Sequence, residues 1–298
     1  MQNNTLILGA FLAATILATS CAKPFAKFSY DAAQRNAPAK VAFKNESTKA
    51  KTYEWDFGDG TKSSDPMPAH EYKSSGNFTV VLTAKKGNKM NTATKQIVVD
   101  APKECLVEVE TEFGSMTIQL SNGTPLHRDN FLKLVEQGFY NDLLFHRVIS
   151  GFMIQGGDPN SKGAKAESPL GTGGPNYQIP AEFVDSLVHI KGALAAARMG
   201  DGANPKKESS GSQFYIVQGR PVTASQLDGM EAQKNKRYST EQRKMYMEMG
   251  GTPFLDHDYT VFGHIIQGFD VIDKIAAVQT ARGDRPVKDV KMKMKVIK

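Results

Sequence analysis

Cysteine and tryptophan are almost missing from this 298-residue chain, which holds two of the first and one of the second. If Cys21 is chemically modified, as argued below, Cys105 has no partner and the folded parts hold no disulfide. Cys105 opens a strand-like run and reads as a small buried apolar residue. Long apolar runs are missing too. The longest, Leu6 to Thr19, has about 14 residues, short of the roughly 20 that a spanning helix needs. The six histidines show no metal-ligand spacing, so no zinc site is expected. Gly171-Thr172-Gly173-Gly174 lacks both the lysine and the spacing of a phosphate-binding loop, and reads as a flexible loop. The lysines are scattered and no nucleic-acid module accompanies them, so nucleic acid is not an expected partner.

The length suits two ordinary domains, and a 40% apolar fraction can bury real cores. Leu6 to Thr19 sits where a signal peptide's apolar region belongs and ends in Leu17-Ala18-Thr19-Ser20-Cys21, which resembles a bacterial lipobox. That resemblance implies that residues 1–21 are a lipoprotein signal peptide, with Cys21 lipidated as the first mature residue. It implies a cell-envelope protein, anchored in the outer membrane and facing the periplasm. One departure is that Met1 to Thr5 carries no Lys or Arg. The net charge of +6 is uneven: residues 22–103 hold 14 Lys/Arg against 8 Asp/Glu, and residues from Glu104 onward hold 23 of each. This basic excess reads as a solvated surface, with contact to anionic headgroups or acidic glycans near the anchor as the alternative.

From Phe25 to Asp100 short alternating runs (Lys40 to Phe43, Phe78 to Thr83, Lys95 to Val99) are separated by Gly, Asn, Asp and Ser clusters, the pattern of an all-β domain. Trp55 and Phe57 share a face, and Gly58-Asp59-Gly60 forces a tight turn. Tyr53-Glu54-Trp55-Asp56-Phe57-Gly58-Asp59-Gly60, with His70-Glu71-Tyr72 and Gly76-Asn77-Phe78 downstream, resembles a PKD domain. That implies an immunoglobulin-like β-sandwich over residues 22–103, serving as spacer or binding module, with Trp55 in its core. Asp56, Asp59 and Asp65 do not follow a calcium-loop spacing and fit turn chemistry better.

Ala101-Pro102-Lys103 breaks the pattern and marks the linker to a second β-rich block, residues 104–298. Leu106 to Thr111 and Ser115 to Leu120 alternate around Glu112-Phe113-Gly114, a hairpin signal. Asp129 to Gln137 and Phe269 to Val278 read as amphipathic helices, the first with Phe131, Leu134 and Val135 on one face and the second with Val271, Ile272, Ile275 and Ala276 apolar. Residues 220–251 carry two capping boxes, Thr223 to Gln226 and Ser239 to Gln242, and a stop at Gly250-Gly251. They predict a helical insertion near the loop before Phe254, which either narrows peptide choice or buttresses the barrel.

Between Phe145 and Asp158 the chain reads Phe-His-Arg-Val-Ile-Ser-Gly-Phe-Met-Ile-Gln-Gly-Gly-Asp. Arg147, Met153 and Gln155 are even steps apart and point to one face of an extended chain. A guanidinium, a thioether and a carboxamide on one face can hold a short apolar group and hydrogen-bond the peptide around it. The segment resembles the signature strand pair of the cyclophilin family of peptidyl-prolyl cis/trans isomerases. Phe139-Tyr140, Leu144-Phe145, Gly192 to Arg198, Ser212 to Ile216, Leu255-Asp256 and Val261-Phe262-Gly263 extend the likeness over about 190 residues.

The resemblance implies a mainly β fold, a closed barrel capped by two helices, and rotation of X–Pro bonds in unfolded or extended polypeptides. It implies no cofactor, no metal and a monomer. Arg147 falls at the catalytic arginine. Phe152, Met153, Tyr215, Leu255 and Tyr259 fall at the proline pocket. Gln155 and Gln213 fall where the family hydrogen-bonds substrate backbone or holds the arginine, and Ala197 and Arg198 on the strand whose main chain pairs with peptide. Three positions depart from the familiar pattern. Tyr215 replaces phenylalanine and adds a hydroxyl at the pocket. Tyr259 replaces a frequent histidine, removing a group that titrates near neutral pH. Phe254 replaces the tryptophan linked in some members to cyclosporin binding, which puts that affinity in doubt. The alternative function is a non-catalytic module holding a peptide or envelope polymer; intact Arg147 and Gln155 favour the enzyme.

Overall fold

The computed structural model describes residues 23–32, 35–101 and 105–297. Cys21, the Leu6 to Thr19 run, Pro102 and Lys103 lie outside them. The chain divides into two compact units, one carried mainly by residues up to Val99 and a larger one mainly by those from Asp100 onward, with Asn36–Pro38 and Lys73–Gly76 counted in the larger. Among the described residues no helix is long and apolar enough to cross a membrane.

In the first unit the strands are β1 (Phe28–Ala32), β2 (Ala39–Asn45), β3 (Thr52–Asp56), β4 (Lys62–Ser63), β5 (Ala69–Tyr72), β6 (Gly76–Lys86) and β7 (Lys89–Val99). They form a three-stranded sheet, β1-β2-β5, and a four-stranded sheet, β4-β3-β6-β7. Alternation sets the packing: β2 buries Ala39, Val41 and Phe43 and exposes Lys40 and Ala42 between them. Trp55 is 1% exposed, its ring edge-on to Phe28 at 5.2 Å, and its indole N–H donates to the Asp65 carbonyl at 2.9 Å. It is a core residue with its one polar atom satisfied. The aspartates take up turn amides: Asp56 accepts from Gly58 N, Asp59 from Thr61 N and Asp65 from Met67 N.

In the second unit the strands are β8 (Leu106–Thr111), β9 (Gly114–Leu120), β10 (Arg147–Ile149), β11 (Met153–Gly156), β12 (Gln178–Ile179), β13 (Ala193–Ala196), β14 (Ser209–Ser210), β15 (Phe214–Val217), β16 (Val261–Gln267) and β17 (Lys293–Ile297). Eight of them form one sheet in the order β10-β11-β15-β13-β16-β9-β8-β17. The two ends approach where Leu144 bridges Lys291 and Phe145 N donates to the Val290 carbonyl, so the sheet curls into a barrel and leaves no long free edge. Helix α1 (Pro125–Glu136) buries Phe131, Leu134 and Val135 in the barrel core. It begins four residues before the expected Asp129, because Pro125 at its first turn needs no hydrogen-bond acceptor there. The helical insertion is α2 (Ala224–Lys234) followed by α3 (Thr240–Met249), each opened by the complete capping box read from the sequence. The last helix, α4 (Phe269–Ala276), turns Val271, Ile272, Ile275 and Ala276 inward.

The segment from Phe145 to Asp158 is not one extended run, as the sequence pattern had implied. It is a hairpin: β10 ends at Ile149, Phe152 N donates to the Ile149 carbonyl at 3.0 Å, and Gly151 takes φ +76° in the turn. Arg147 and Gln155 are therefore directly opposed across two strands.

Candidate active site

The central strands of the barrel are buried on both faces. Ile154, Leu194, Phe214, Ile216 and Phe262 face the interior core. Met153, Ala193, Ala195, Tyr215, Val217 and Val261 face the other way, into a second apolar cluster with Leu255. Pairing registers set one row across the sheet: Arg147 opposite Gln155, Gln155 opposite Tyr215, Tyr215 opposite Ala195, and Ala195 opposite Val261. The alternation of side chains places that row on one surface. Ala195, in its middle, is fully buried in that cluster.

Arg147, Gln155 and Tyr215 of this row border a pocket of about 180 Å³, lined also by Phe152, Met153, Ala197, Arg198, Leu255 and Tyr259. Its floor is buried, Met153 at 2% and Tyr215 at 5% exposed. Among the described residues that line it, the charged groups are Arg147 and Arg198, and the Arg147 side chain is 42% exposed. The arginine is held lightly. Its Nε donates to Asp284 Oδ2 at 3.3 Å and its Nη1 to Gln155 Oε1 at 3.5 Å. Behind it the amides form a relay: Gln155 Nε2 donates to Gln213 Oε1 at 3.2 Å, and Gln213 Nε2 to the Gly173 carbonyl at 2.8 Å.

An apolar pocket for one small ring, with a guanidinium at its mouth, is the arrangement expected from the motifs. The family model of the cyclophilin type peptidyl-prolyl cis-trans isomerase matches residues 106–296. The chain belongs to the cyclophilin-type peptidyl-prolyl isomerase family. Residues 21–101 match the family model of the PKD domain. A Streptococcus pyogenes protein named as a bifunctional phosphatase/peptidyl-prolyl cis-trans isomerase is 37% identical over 187 residues, covering 62% of this chain and 37% of its own length. The chain thus spans little more than a third of that relative. A Staphylococcus saprophyticus protein named as a peptidyl-prolyl cis-trans isomerase is 37% identical over 61% of this chain and 86% of its own. A solved cyclophilin of Cryptosporidium parvum is 24% identical, with a TM-score of 0.47 over 65% of this chain and 98% of that one.

In this cyclophilin two of the expected site residues stand off the pocket. Gln213 lines an adjoining groove of about 670 Å³ with Gly171, Thr172, Gly173, Gly174 and Tyr177, which shares Gln155, Ala197 and Arg198 with the pocket. Phe254 stands at the rim, 50% exposed, its ring 5.8 Å from that of Phe152.

The backbone of Ala197 is occupied, its N–H bound to the Gln213 carbonyl and its carbonyl to Ser210 N. The structure therefore does not leave Ala197 free for the main-chain pairing expected of it. The Arg198 guanidinium is committed: it donates to the carbonyls of Asp258 and Met199 and to Asp201 Oδ1, and lies 4.5 Å from the centre of the Tyr259 ring.

The structure corrects two sequence readings. The Tyr215 hydroxyl does not add a polar group to the pocket; it turns away beneath it and bonds His189 Nε2 at 3.0 Å. Burial drives its ionisation well above the ordinary tyrosine range. The Gly171 to Gly174 segment is not a loose loop. The buried Asp158 carboxylate accepts from Gly171 N at 2.5 Å and Gly173 N at 3.3 Å. A side chain at Gly173 would meet Asp158 Oδ1 at 2.1 Å, so the glycine is there for close approach. The buried acid 13 residues upstream was the signal that could have found it.

Proposed function

We propose that this chain accelerates cis/trans rotation about X–Pro bonds in exported polypeptides, with Arg147 as the catalytic group. The observation that carries the reading is the juxtaposition of a small apolar pocket with one lightly held arginine at its mouth. Rotation faces a barrier of about 18–20 kcal/mol because the C–N bond is partly double, and uncatalysed exchange takes tens to hundreds of seconds. No bond is made or broken. Twisting returns a lone pair to the prolyl nitrogen, and a donor aimed there stabilises the twisted state more than the planar one. With the proline ring seated over Met153 and Leu255, Arg147 supplies that donor and stays protonated throughout. Reaching milliseconds takes roughly 10⁴-fold, about 5–6 kcal/mol; the charge-assisted contact supplies part and orientation of the ring the rest. Gln155 and the main chain of Arg198 orient the client backbone.

The same proposal places the protein in the cell envelope, tethered to the outer membrane through lipid on Cys21 and assisting clients on the periplasmic side. The Leu17 to Cys21 motif supports it. The test of activity is exchange spectroscopy on a short X–Pro peptide with catalytic amounts of the full chain. Faster interconversion is the expected result. Peptide binding at an uncatalysed exchange rate would sink the enzyme reading and leave the binding module in its place.

A further inference from the structure

Beneath the pocket lies a chain of buried polar groups that the reaction itself does not use. Asp256 is 2% exposed and His189 fully buried. Asp256 Oδ1 accepts from the His189 backbone N–H at 2.9 Å and from His189 Nδ1 at 2.7 Å. Its Oδ2 accepts from Tyr238 Oη at 2.8 Å and Tyr246 Oη at 2.5 Å. The two oxygens thus carry the four bonds that a carboxylate can accept. Burial alone pushes the Asp256 carboxyl up, but the donors from His189 and Tyr246 outweigh it and hold the group below the usual carboxylate range. On its other side His189 Nε2 lies 3.0 Å from the Tyr215 hydroxyl, within hydrogen-bond distance, so the chain continues into the pocket wall.

Both tyrosines that close this chain at its far end belong to the helical insertion. Tyr246 is on α3 and Tyr238 immediately before it, and Tyr246 is packed with Leu227, Val188, Ile190 and Val222 in a small core of its own. The insertion also grips the neighbouring segment, with Lys234 Nζ donating to the Asp256 carbonyl at 2.6 Å and to Asp258 Oδ2 at 2.7 Å.

We propose that the insertion is a positioning element of the proline pocket, in which Tyr238 and Tyr246 fix Asp256, Asp256 fixes His189, and His189 fixes the ring of Tyr215 in the pocket wall. This rests on the isomerase reading and resolves the role of residues 220–251 in favour of a support that acts on the chemistry. A phenylalanine at position 215 would rest on packing alone. Tyr215 gains a fixed direction from its hydroxyl, and the insertion is what that direction depends on.

The test is a double-mutant cycle on kcat/KM for X–Pro exchange, using the full chain as wild type, Tyr246→Phe, Tyr215→Phe and the pair. Removing one donor from the buried carboxylate is expected to lower kcat/KM about fivefold in the wild-type background. Where Tyr215 is already Phe the same change should cost less than about twofold, because its path to the pocket is gone. A helix that merely stabilised the fold would cost the same in both backgrounds, and equal losses overturn the proposal. If Tyr246→Phe does not fold, Tyr238→Phe strikes the same oxygen and replaces it in the cycle. The same cycle measured on peptide affinity by titration keeps the two readings apart. Wild type without catalysis refutes the isomerase reading, while coupled or additive losses in affinity still decide the role of the insertion.

Discussion

Arg147→Ala is the change that tests the chemistry most directly. Its charged partner, Asp284, has a side chain 45% exposed, and that of Arg147 is 42% exposed. A pair so open to water is worth less than about 1 kcal/mol. The fold therefore loses little, and unfolding should shift by no more than about 0.5 kcal/mol. The catalytic loss is larger, because a client seated in the pocket covers the guanidinium and strengthens its bond. A hydrogen bond to a charged group contributes about 1.5–3 kcal/mol, which corresponds to roughly 10–150-fold in rate. The loss should fall on kcat. A planar amide nitrogen offers no lone pair, so the contact forms only as the bond twists, and peptide affinity should change less than about threefold. Arg147→Lys keeps the charge without the planar fork and should lie between the two. Exchange spectroscopy on an X–Pro peptide, with affinity measured by titration on the same samples, separates the two constants. An Arg147→Ala protein that binds peptide far more weakly yet turns over at the wild-type rate would refute the reasoning.

The remaining predictions concern the pocket floor, acid stability and location. Ala195→Val pushes two methyl groups into the middle of the cross-strand row; peptide affinity should fall about tenfold and stability by about 1–3 kcal/mol, read by titration and urea unfolding. An unchanged affinity would mean that the row does not set the pocket's depth. Burial holds His146 and His264 below the ordinary histidine value. Their contribution is complete above about pH 6.5 and is lost as pH falls below it, when the unfolded chain takes up protons first, at up to about 1.4 kcal/mol per pH unit for each group. Urea unfolding from pH 7.5 to 5 should show this slope, and His146→Gln should flatten it; an identical slope in the variant rejects the assignment. Cys21→Ser should move the protein from the membrane to the soluble fraction on fractionation, and continued membrane association would end the lipid-anchor reading.

The parity argument for Arg147 and Gln155 reached the right neighbours by the wrong geometry, and the reason is physical. In an antiparallel hairpin the paired residue numbers have a constant sum, so opposed residues whose sum is even share parity, as even-spaced residues of one strand do. Spacing alone cannot tell the two apart; Gly151 in the turn could. Caps were legible because they are local: Thr223 with Gln226 and Ser239 with Gln242 lie within one helical turn. The direction of the Tyr215 hydroxyl was not, because its partner His189 is 26 residues away in the chain and nothing in the Tyr215 neighbourhood announces it. The order of the Gly171 to Gly174 segment was missed for the same cause, since Asp158 holds it from a distance. The start of α1 was misplaced because Leu126 and His127 broke the apolar periodicity while Pro125 already marked the first turn.

The commitment of Arg198 reaches beyond its own loop. Asp201 and two carbonyls absorb its donors, while Asp258 nearby is answered by Lys207 and Lys234. The guanidinium and both ammonium groups of this wall are therefore already bonded to oxygen, although the five charges sum to +1. A residue beside the proline finds those donors already taken. What such a wall leaves for recognition is geometry, the line of a backbone and the outline of a ring.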